Sequence, residues 1–333
     1  MAIFLNAGLS ATIHLVNGKA IVMKDYLSEI DEKYPVRNSF DQKQSFRMYT
    51  MEEASKCGIK DAKCEDNENH LNMVFGDSEK AKVIFTAHYD TPRQQWFPNL
   101  MLVTNRILYW VYNLGIIAVF WIVSFFASEW VRDITRLDTR IFRDRMIWLL
   151  WYYILYYVLF FLAYRGPANK RNRNDNTSGT AAVMELMEQL KGRKDVAFIL
   201  FDDEEKGKKG SKAFAKAHPE IKKNTLIINM DCVGNGETYV FIAPEAARNN
   251  PLYAKLNAVL EEKGLNVKMC TTQEASANSD HKNFEQGIGV CACKYNKFAG
   301  YYADRIHTSK DTVADPKTVS DLAEALSSFA ESL

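Results

Sequence analysis

The stretch VAFILFDDEE, residues 196–205, sets six apolar residues directly before four carboxylates. Unbroken rather than alternating apolarity predicts a strand buried on both faces, as in a parallel sheet covered by helices. Four adjacent acids at the end of such a strand repel one another. They are either a solvated acidic turn or are held by something positive. Two further stretches have the same form, AKVIFTAHYD at 81–90 and TLIINMDCVG at 225–234. Open α/β sheets bind ligands beyond the carboxyl ends of their strands. His88, Asp90, Glu204, Glu205 and Asp231 are therefore expected along one edge of the sheet.

The helices that would cover this sheet are also legible. TSGTAAVMELMEQLKG, 177–192, predicts a helix capped by Thr177 or Ser178, with Val183, Leu186, Met187 and Leu190 facing inward and Gly192 ending it. DPKTVSDLAEALSSFAESL, 315–333, predicts a closing helix with Asp315 as cap and Pro316 at its first position. The apolar N-terminal stretch, 1–25, is expected to form a strand or short helix of the fold.

The sharpest change in composition is internal. Residues 107–128 and 146–164 carry no charged side chain. About 20 apolar residues suffice for a helix to cross a bilayer. The chain is thus expected to hold a transmembrane hairpin at 99–165 inside a discontinuous domain, 1–98 and 166–333. Trp130, Ile134, Leu137 and Ile141 in the connection share helical spacing beside an Arg132, Arg136 and Arg140 stripe. This predicts a helix lying on the membrane surface. The alternative is a soluble hairpin forming a lid or a dimer interface; a homo-oligomer through the hairpin is a further expectation. Two spans return the chain to the side it left. With no secretory signal pattern at the start, the soluble part is expected on the cytoplasmic side. Basic residues favour that side only narrowly: Arg93, Arg106, Arg165, Lys170, Arg171 and Arg173 flank the spans, against five arginines in the connection.

Removing the hairpin leaves about 265 residues, enough for one α/β domain. The net charge of +1 gives no reason to expect a nucleic-acid partner. None of the six cysteines forms a C-x-x-C pair, so a structural zinc site is not expected.

Histidine nitrogen with carboxylate oxygen is a donor set that suits zinc, and two ions sharing a bridging carboxylate would offset clustered acids. The ordered motifs extend this reading. AHYDT at 87–91, NDNTSGTAAVMEL at 174–186, FDDEEKGKKGS at 201–211, NMDCVG at 229–234, SDHKNFEQGIG at 279–289 and RIHTSKDT at 305–312 resemble, in order, the co-catalytic zinc metallopeptidases. That family includes bacterial leucyl aminopeptidases, glutamate carboxypeptidase and, more distantly, glutaminyl cyclase. The resemblance implies a zinc-aminopeptidase-like α/β fold, with a mixed, largely parallel sheet sandwiched by helices and interrupted by the hairpin.

It further implies two zinc ions, with other divalent transition metals as alternatives, and peptide substrates. Asp175 would bridge the ions. His88 and Asp231 would complete one site, Glu205 and His307 the other. Glu204 would be the general acid/base, and Asp90 would accept the second ring N–H of His88. A glutaminyl-cyclase-like acyltransferase and an inactive membrane scaffold remain as alternatives; the cyclase subgroup usually has Trp where Ile306 stands. Asp203 occupies a position often held by glycine in the family and is expected to be exposed, while Asp202 has no assigned role. His281 is expected to be structural or part of the substrate wall. His14, His70 and His218 are expected to be ordinary surface or core histidines.

Overall fold

The computed structural model describes residues 11–16 and 19–333, with side chains from Lys24 onward. The N-terminal stretch at 1–25 lies partly outside these residues, as does the side chain of His14. Its described part is an antiparallel pair, β1 (Ala11–Val16) and β2 (Lys19–Lys24). There follow α1 (Tyr26–Lys33), α2 (Phe40–Lys56), β3 (Ala62–Asn67), β4 (His70–Phe75), β5 (Val83–His88) and β6 (Leu100–Leu102). The apolar segments form α3 (Arg106–Thr135) and α4 (Phe142–Tyr164). Beyond them come α5 (Gly179–Gln189), β7 (Val196–Phe201), α6 (Lys209–Ala217), α7 (Pro219–Asn224), β8 (Leu226–Met230) and β9 (Thr238–Ala243). The chain closes with α8 (Glu245–Arg248), α9 (Pro251–Glu262), β10 (Val267–Thr271), β11 (Gly287–Asn296), β12 (Gly300–Asp304) and α10 (Pro316–Glu331).

The main sheet runs in the order β10-β9-β11-β8-β5-β7-β4-β3, with β12 joining β11 to β6. Its centre, β11-β8-β5-β7, is parallel, and its margins bring antiparallel pairs. Every residue of β5, β7 and β8 is buried, as their unbroken apolarity requires. Alternate side chains divide between two layers. Phe85, Phe198 and Ile228 pack toward the core that includes Leu27, Phe46, Leu186 and Leu326. Ile84, Ile199 and Ile227 pack with Phe214, Ile221 and Phe284. The fold is thus α/β, with a mixed, largely parallel sheet between helical layers.

Register sets the site. His88 pairs with Phe201, and Thr86 with Asn229, so the ends of β5, β7 and β8 lie nearly level. The residues just beyond those ends therefore converge. A buried bond from the Thr86 hydroxyl to Asn229 Oδ1, 2.8 Å, ties β5 to β8 one turn of the pleat below.

The start of α5 differs from the expected cap. The Ser178 hydroxyl donates back to the Asn174 carbonyl, 2.7 Å, and Asn176 Oδ1 accepts the Gly179 N–H, 3.0 Å. Residues 173–178 form a tight irregular turn instead of a simple cap, and this turn carries Asp175. Asp315 does cap α10, accepting the Lys317 N–H at 2.9 Å.

The hairpin pairs α3 with α4 through rings such as Phe120–Phe160 and Trp121–Tyr156. Among the described residues, these two helices are long and apolar enough to cross a membrane. No surface helix follows α3, because Arg136 adopts the left-handed conformation, φ 54°, and ends it; Trp130, Ile134 and Ile141 remain exposed around the turn.

Gly179 marks where the turn meets the sheet. A Cβ there would lie 2.2 Å from the Met230 carbonyl and 2.4 Å from Asn176 Oδ1. Gly179→Ala should push α5 from the end of β8, destabilising the fold by about 1–3 kcal/mol as overpacking typically does. Denaturant unfolding monitors the loss.

Candidate metal centre

Asp175 lies between two sets of side chains. Its Oδ1 is 3.4 Å from His88 Nε2, which is itself 3.8 Å from Asp231 Oδ1. Its Oδ2 is 2.9 Å from His307 Nε2, which lies 3.3 Å from Glu205 Oε1. The residues thus form two potential metal-holding groups, His88–Asp175–Asp231 and Asp175–Glu205–His307. Glu204 stands beside both, grouped with His88 and Glu205. The structure brings together every residue that the motifs singled out.

The surroundings hold these side chains in place. Asp90 is buried, and its two carboxylate oxygens accept the N–H groups of Glu204, 3.0 Å, and Glu205, 3.2 Å. One of those oxygens also lies 3.4 Å from His88 Nδ1, and the Asp90 carbonyl lies 3.2 Å from the same nitrogen. Asp90 thus orients the β7 turn as well as the imidazole, a double task that the motif did not reveal. Gln95 does the equivalent for His307, with its side chain 3.2 Å from Nδ1 and its N–H donated to the His307 carbonyl, 2.7 Å.

Asp311 is the main residue that sequence reasoning missed. It is buried, and its oxygens accept the N–H groups of Asn174 and Asp175, each at 3.0 Å. Its place in RIHTSKDT, four residues after His307, was the available signal. Arg37 is fully buried behind the site, donating to the carbonyls of Tyr89 and Tyr34 and to the Asn172 and Thr177 side chains. Burial lowers its guanidinium to about 10, against the pull of Asp90, Asp31 and Asp175.

Electrostatics show what the cluster lacks. Burial disfavours charge on His88 and His307, yet the carboxylates around them raise both imidazoles well above the ordinary range. Burial would likewise raise Asp175, but His307 and His88 hold it far below the usual carboxylate range. Glu204 moves the other way: burial, reinforced by Asp280, Glu205 and Asp231, outweighs His88 and raises it. The cluster demands positive charge, and protons on two histidines meet only part of that demand. Glu205 Oε1 is buried without a hydrogen bond.

The four-acid run divides in two. Lys43 of α2 reaches Asp202 and Asp203, 2.5 Å from each, and Asp203 also meets His70 at 2.9 Å and Lys206 at 2.8 Å. Asp203 is therefore buried and ion-paired, not exposed as expected. Its backbone has φ 51°, the setting that favours glycine, and the two lysines together with His70 explain why an aspartate sits there. His281 is a packed residue. A Cβ on Gly289 would lie 2.6 Å from its ring, and burial depresses its imidazole to about 4, so it is neutral near pH 7.

A cleft of about 830 Å³ opens over Asp175, Glu204, Glu205, Asp231 and His307. Its walls include Ile306 and, from the first turns of α3, Arg106, Tyr109 and Trp110. Asp311→Asn would turn a donor toward one of the two backbone N–H groups that the carboxylate now receives. It should weaken metal affinity about 10–100-fold, the usual cost of losing a group that orients a ligand; metal-binding titration measures it.

Residues 168–330 match Peptidase family M28. No curated protein matches the chain in sequence. Among solved structures, the fold is similar to a Zn-dependent exopeptidase from Parabacteroides distasonis, with TM-score 0.55, 13% identity, and 91% of this chain and 94% of that one covered. It is also similar to Porphyromonas gingivalis glutaminyl cyclase, with TM-score 0.55, 12% identity, and 92% and 96% covered. The LapA aminopeptidase of Legionella pneumophila gives TM-score 0.53, 15% identity, and 92% and 68% covered. At these identities the likeness is one of fold. Residues 168–330, just under half of the chain, thus match Peptidase family M28, and the chain as a whole shares the α/β fold of these solved structures.

Proposed function

We propose that the chain is a membrane-anchored zinc exopeptidase, an aminopeptidase, working with two metal ions and Glu204 as general base. The observation that carries this reading is the divided environment of Asp175, one oxygen toward His88 and Asp231 and the other toward His307 and Glu205. The residues fit the metal. Ligand atoms about 2.0–2.1 Å from a tetrahedral zinc lie roughly 3.3 Å apart, close to the 3.4 Å of His88–Asp175 and the 3.3 Å of His307–Glu205. Apart from the His307 imidazole, Glu205 Oε1 is buried without a hydrogen-bond partner, as suits a ligand atom.

His88, Asp175 and Asp231 would hold one ion, and Asp175, Glu205 and His307 the other. When bound, such ions bring the pKa of a coordinated water toward neutrality and polarise the scissile carbonyl. Glu204 lines the same cleft without being needed as a ligand. Burial and the neighbouring carboxylates raise its carboxyl, which favours its taking the proton of water and returning it to the leaving amine. Asp90, bonded to the N–H groups of Glu204 and Glu205, keeps the base and its neighbouring ligand in fixed relation.

The membrane part of the reading rests on the hairpin surface. Trp110, Leu114, Phe126, Leu150, Tyr157 and Phe161 are all more than half exposed. Exposed apolar area of this extent marks an interaction surface, and a bilayer matches two spans of this length. A glutaminyl-cyclase-like activity is the second reading, favoured by the fold shared with the Porphyromonas gingivalis enzyme.

Glu204→Gln should retain metal and lose about 10²–10⁴-fold in turnover, the scale of a general base. Glu205→Ala should lose metal as well. Metal analysis paired with a peptide library measures both, and the products separate N-terminal trimming from C-terminal trimming and pyroglutamate formation. Unchanged turnover in Glu204→Gln defeats the assignment. In sealed vesicles of native orientation, the soluble part should resist protease added outside and be cleaved after permeabilisation; external cleavage would place it on the other side.

A further inference from the structure

Within the cleft, three cations from separate segments share one wall with no carboxylate to neutralise them. Arg106 is the first residue of α3, Lys208 follows the Glu204–Glu205 turn, and Lys282 lies in the short helical turn Asp280–Asn283. Among the described residues, their side-chain hydrogen bonds go to neutral oxygens. Lys208 donates to Asn278 Oδ1, 2.5 Å, Lys282 to Ser276 Oγ, 3.4 Å, and Arg106 to the Thr272 carbonyl. Lys282 feels its neighbours: partial burial, then Lys208 and Arg106, holds its ammonium below the ordinary lysine range. The acids of the same cleft are Asp175, Glu205 and Asp231 of the candidate metal centre and Glu204, the proposed base, and none of them ion-pairs with these cations among the described residues.

Like charges crowd together at a cost unless an anion joins them. Lys208 is also tied to the proposed base, its backbone N–H donated to the Glu204 carbonyl at 2.7 Å. We propose that Arg106, Lys208 and Lys282 form a subsite for a carboxylate carried by the substrate, selecting short peptides with a free C-terminus or peptides with an acidic side chain near the scissile bond. This rests on the exopeptidase reading and gives it a substrate class. It also gives the hairpin a part in selection, because Arg106 belongs to its first helix.

The test compares two substrate pairs, Ala-Ala with Ala-Ala-amide, and Ala-Glu-amide with Ala-Gln-amide. The wild type should prefer the charged member of at least one pair by about tenfold in kcat/KM, as charge-assisted contacts allow. A preference in the first pair assigns the wall to the chain terminus, and one in the second pair to a side chain. The double variant Arg106→Gln, Lys282→Gln should bring the ratio close to one. Equal kcat/KM within both pairs, or a preference that survives the double variant, overturns the proposal. Equilibrium binding of the same peptides to Glu204→Gln protein separates the two readings. Tighter binding of the charged peptides without wild-type hydrolysis sinks the exopeptidase reading and leaves the subsite standing. Hydrolysis of all four peptides with no discrimination in rate or binding does the reverse.

Discussion

Crowding of carboxylates at the edge of one sheet is the constraint that organises this molecule. Asp90, Asp175, Glu204, Glu205, Asp231, Asp280 and Asp311 come from six segments and meet at the cleft, with Asp90, Asp175, Asp280 and Asp311 buried. Buried charge of one sign is tolerated only when it is paired or hydrogen-bonded. Asp90 and Asp311 spend their oxygens on backbone N–H groups, and Asp280 accepts the Ser211 hydroxyl at 2.5 Å. Asp202 and Asp203 turn away to Lys43. What remains is Asp175, Glu205 and Asp231 with two imidazoles, the set that no backbone group or ordinary cation satisfies.

The backbone bends to serve this arrangement. Asp203, Lys208, Cys232 and His307 all adopt positive φ close to the site. Such settings are disfavoured for non-glycine residues and persist where surrounding contacts outweigh their cost. Those contacts are visible here: Lys43, His70 and Lys206 on Asp203, and Gln95 on both ends of His307. Parallel register brings the strand ends level, and the strained turns then aim individual side chains.

This division explains what was legible from sequence. Strands β5, β7 and β8 announced themselves because apolar runs buried on both faces leave a strong local signal, and the polar residues after them followed. The helix face of α5 and the cap of α10 were equally local. Arg37 and Gln95 were not legible, because each acts through a contact with a residue distant in the chain, and no periodicity or spacing records such a partner; Asp311 stood inside a quoted motif, but its bonds to the Asn174 and Asp175 N–H groups are equally distant in the chain. Asp203 was misjudged for the same reason: its neutralising lysine lies on α2, about 160 residues away. The cap expected at Thr177 or Ser178 failed because the turn carrying Asp175 overrides the simple cap, with Asn176 taking that role.

The hairpin is tied into the α/β domain at both ends. It leaves the domain after β6, which pairs with β12, and β12 leads directly into the loop carrying Ile306 and His307. On its return, the Gln94 N–H donates to the Pro167 carbonyl at 2.8 Å and Asn169 binds the Thr308 carbonyl at 3.0 Å. Both ends of the insertion are therefore hydrogen-bonded close to the segment that supplies one half of the candidate metal centre. The first turns of α3 meanwhile form part of the cleft wall. The cleft wall and the His307 loop are thus joined through the same short strands, β6 and β12. Insertion at this point leaves the main sheet intact and places the first turns of α3 at the cleft that holds the candidate metal centre.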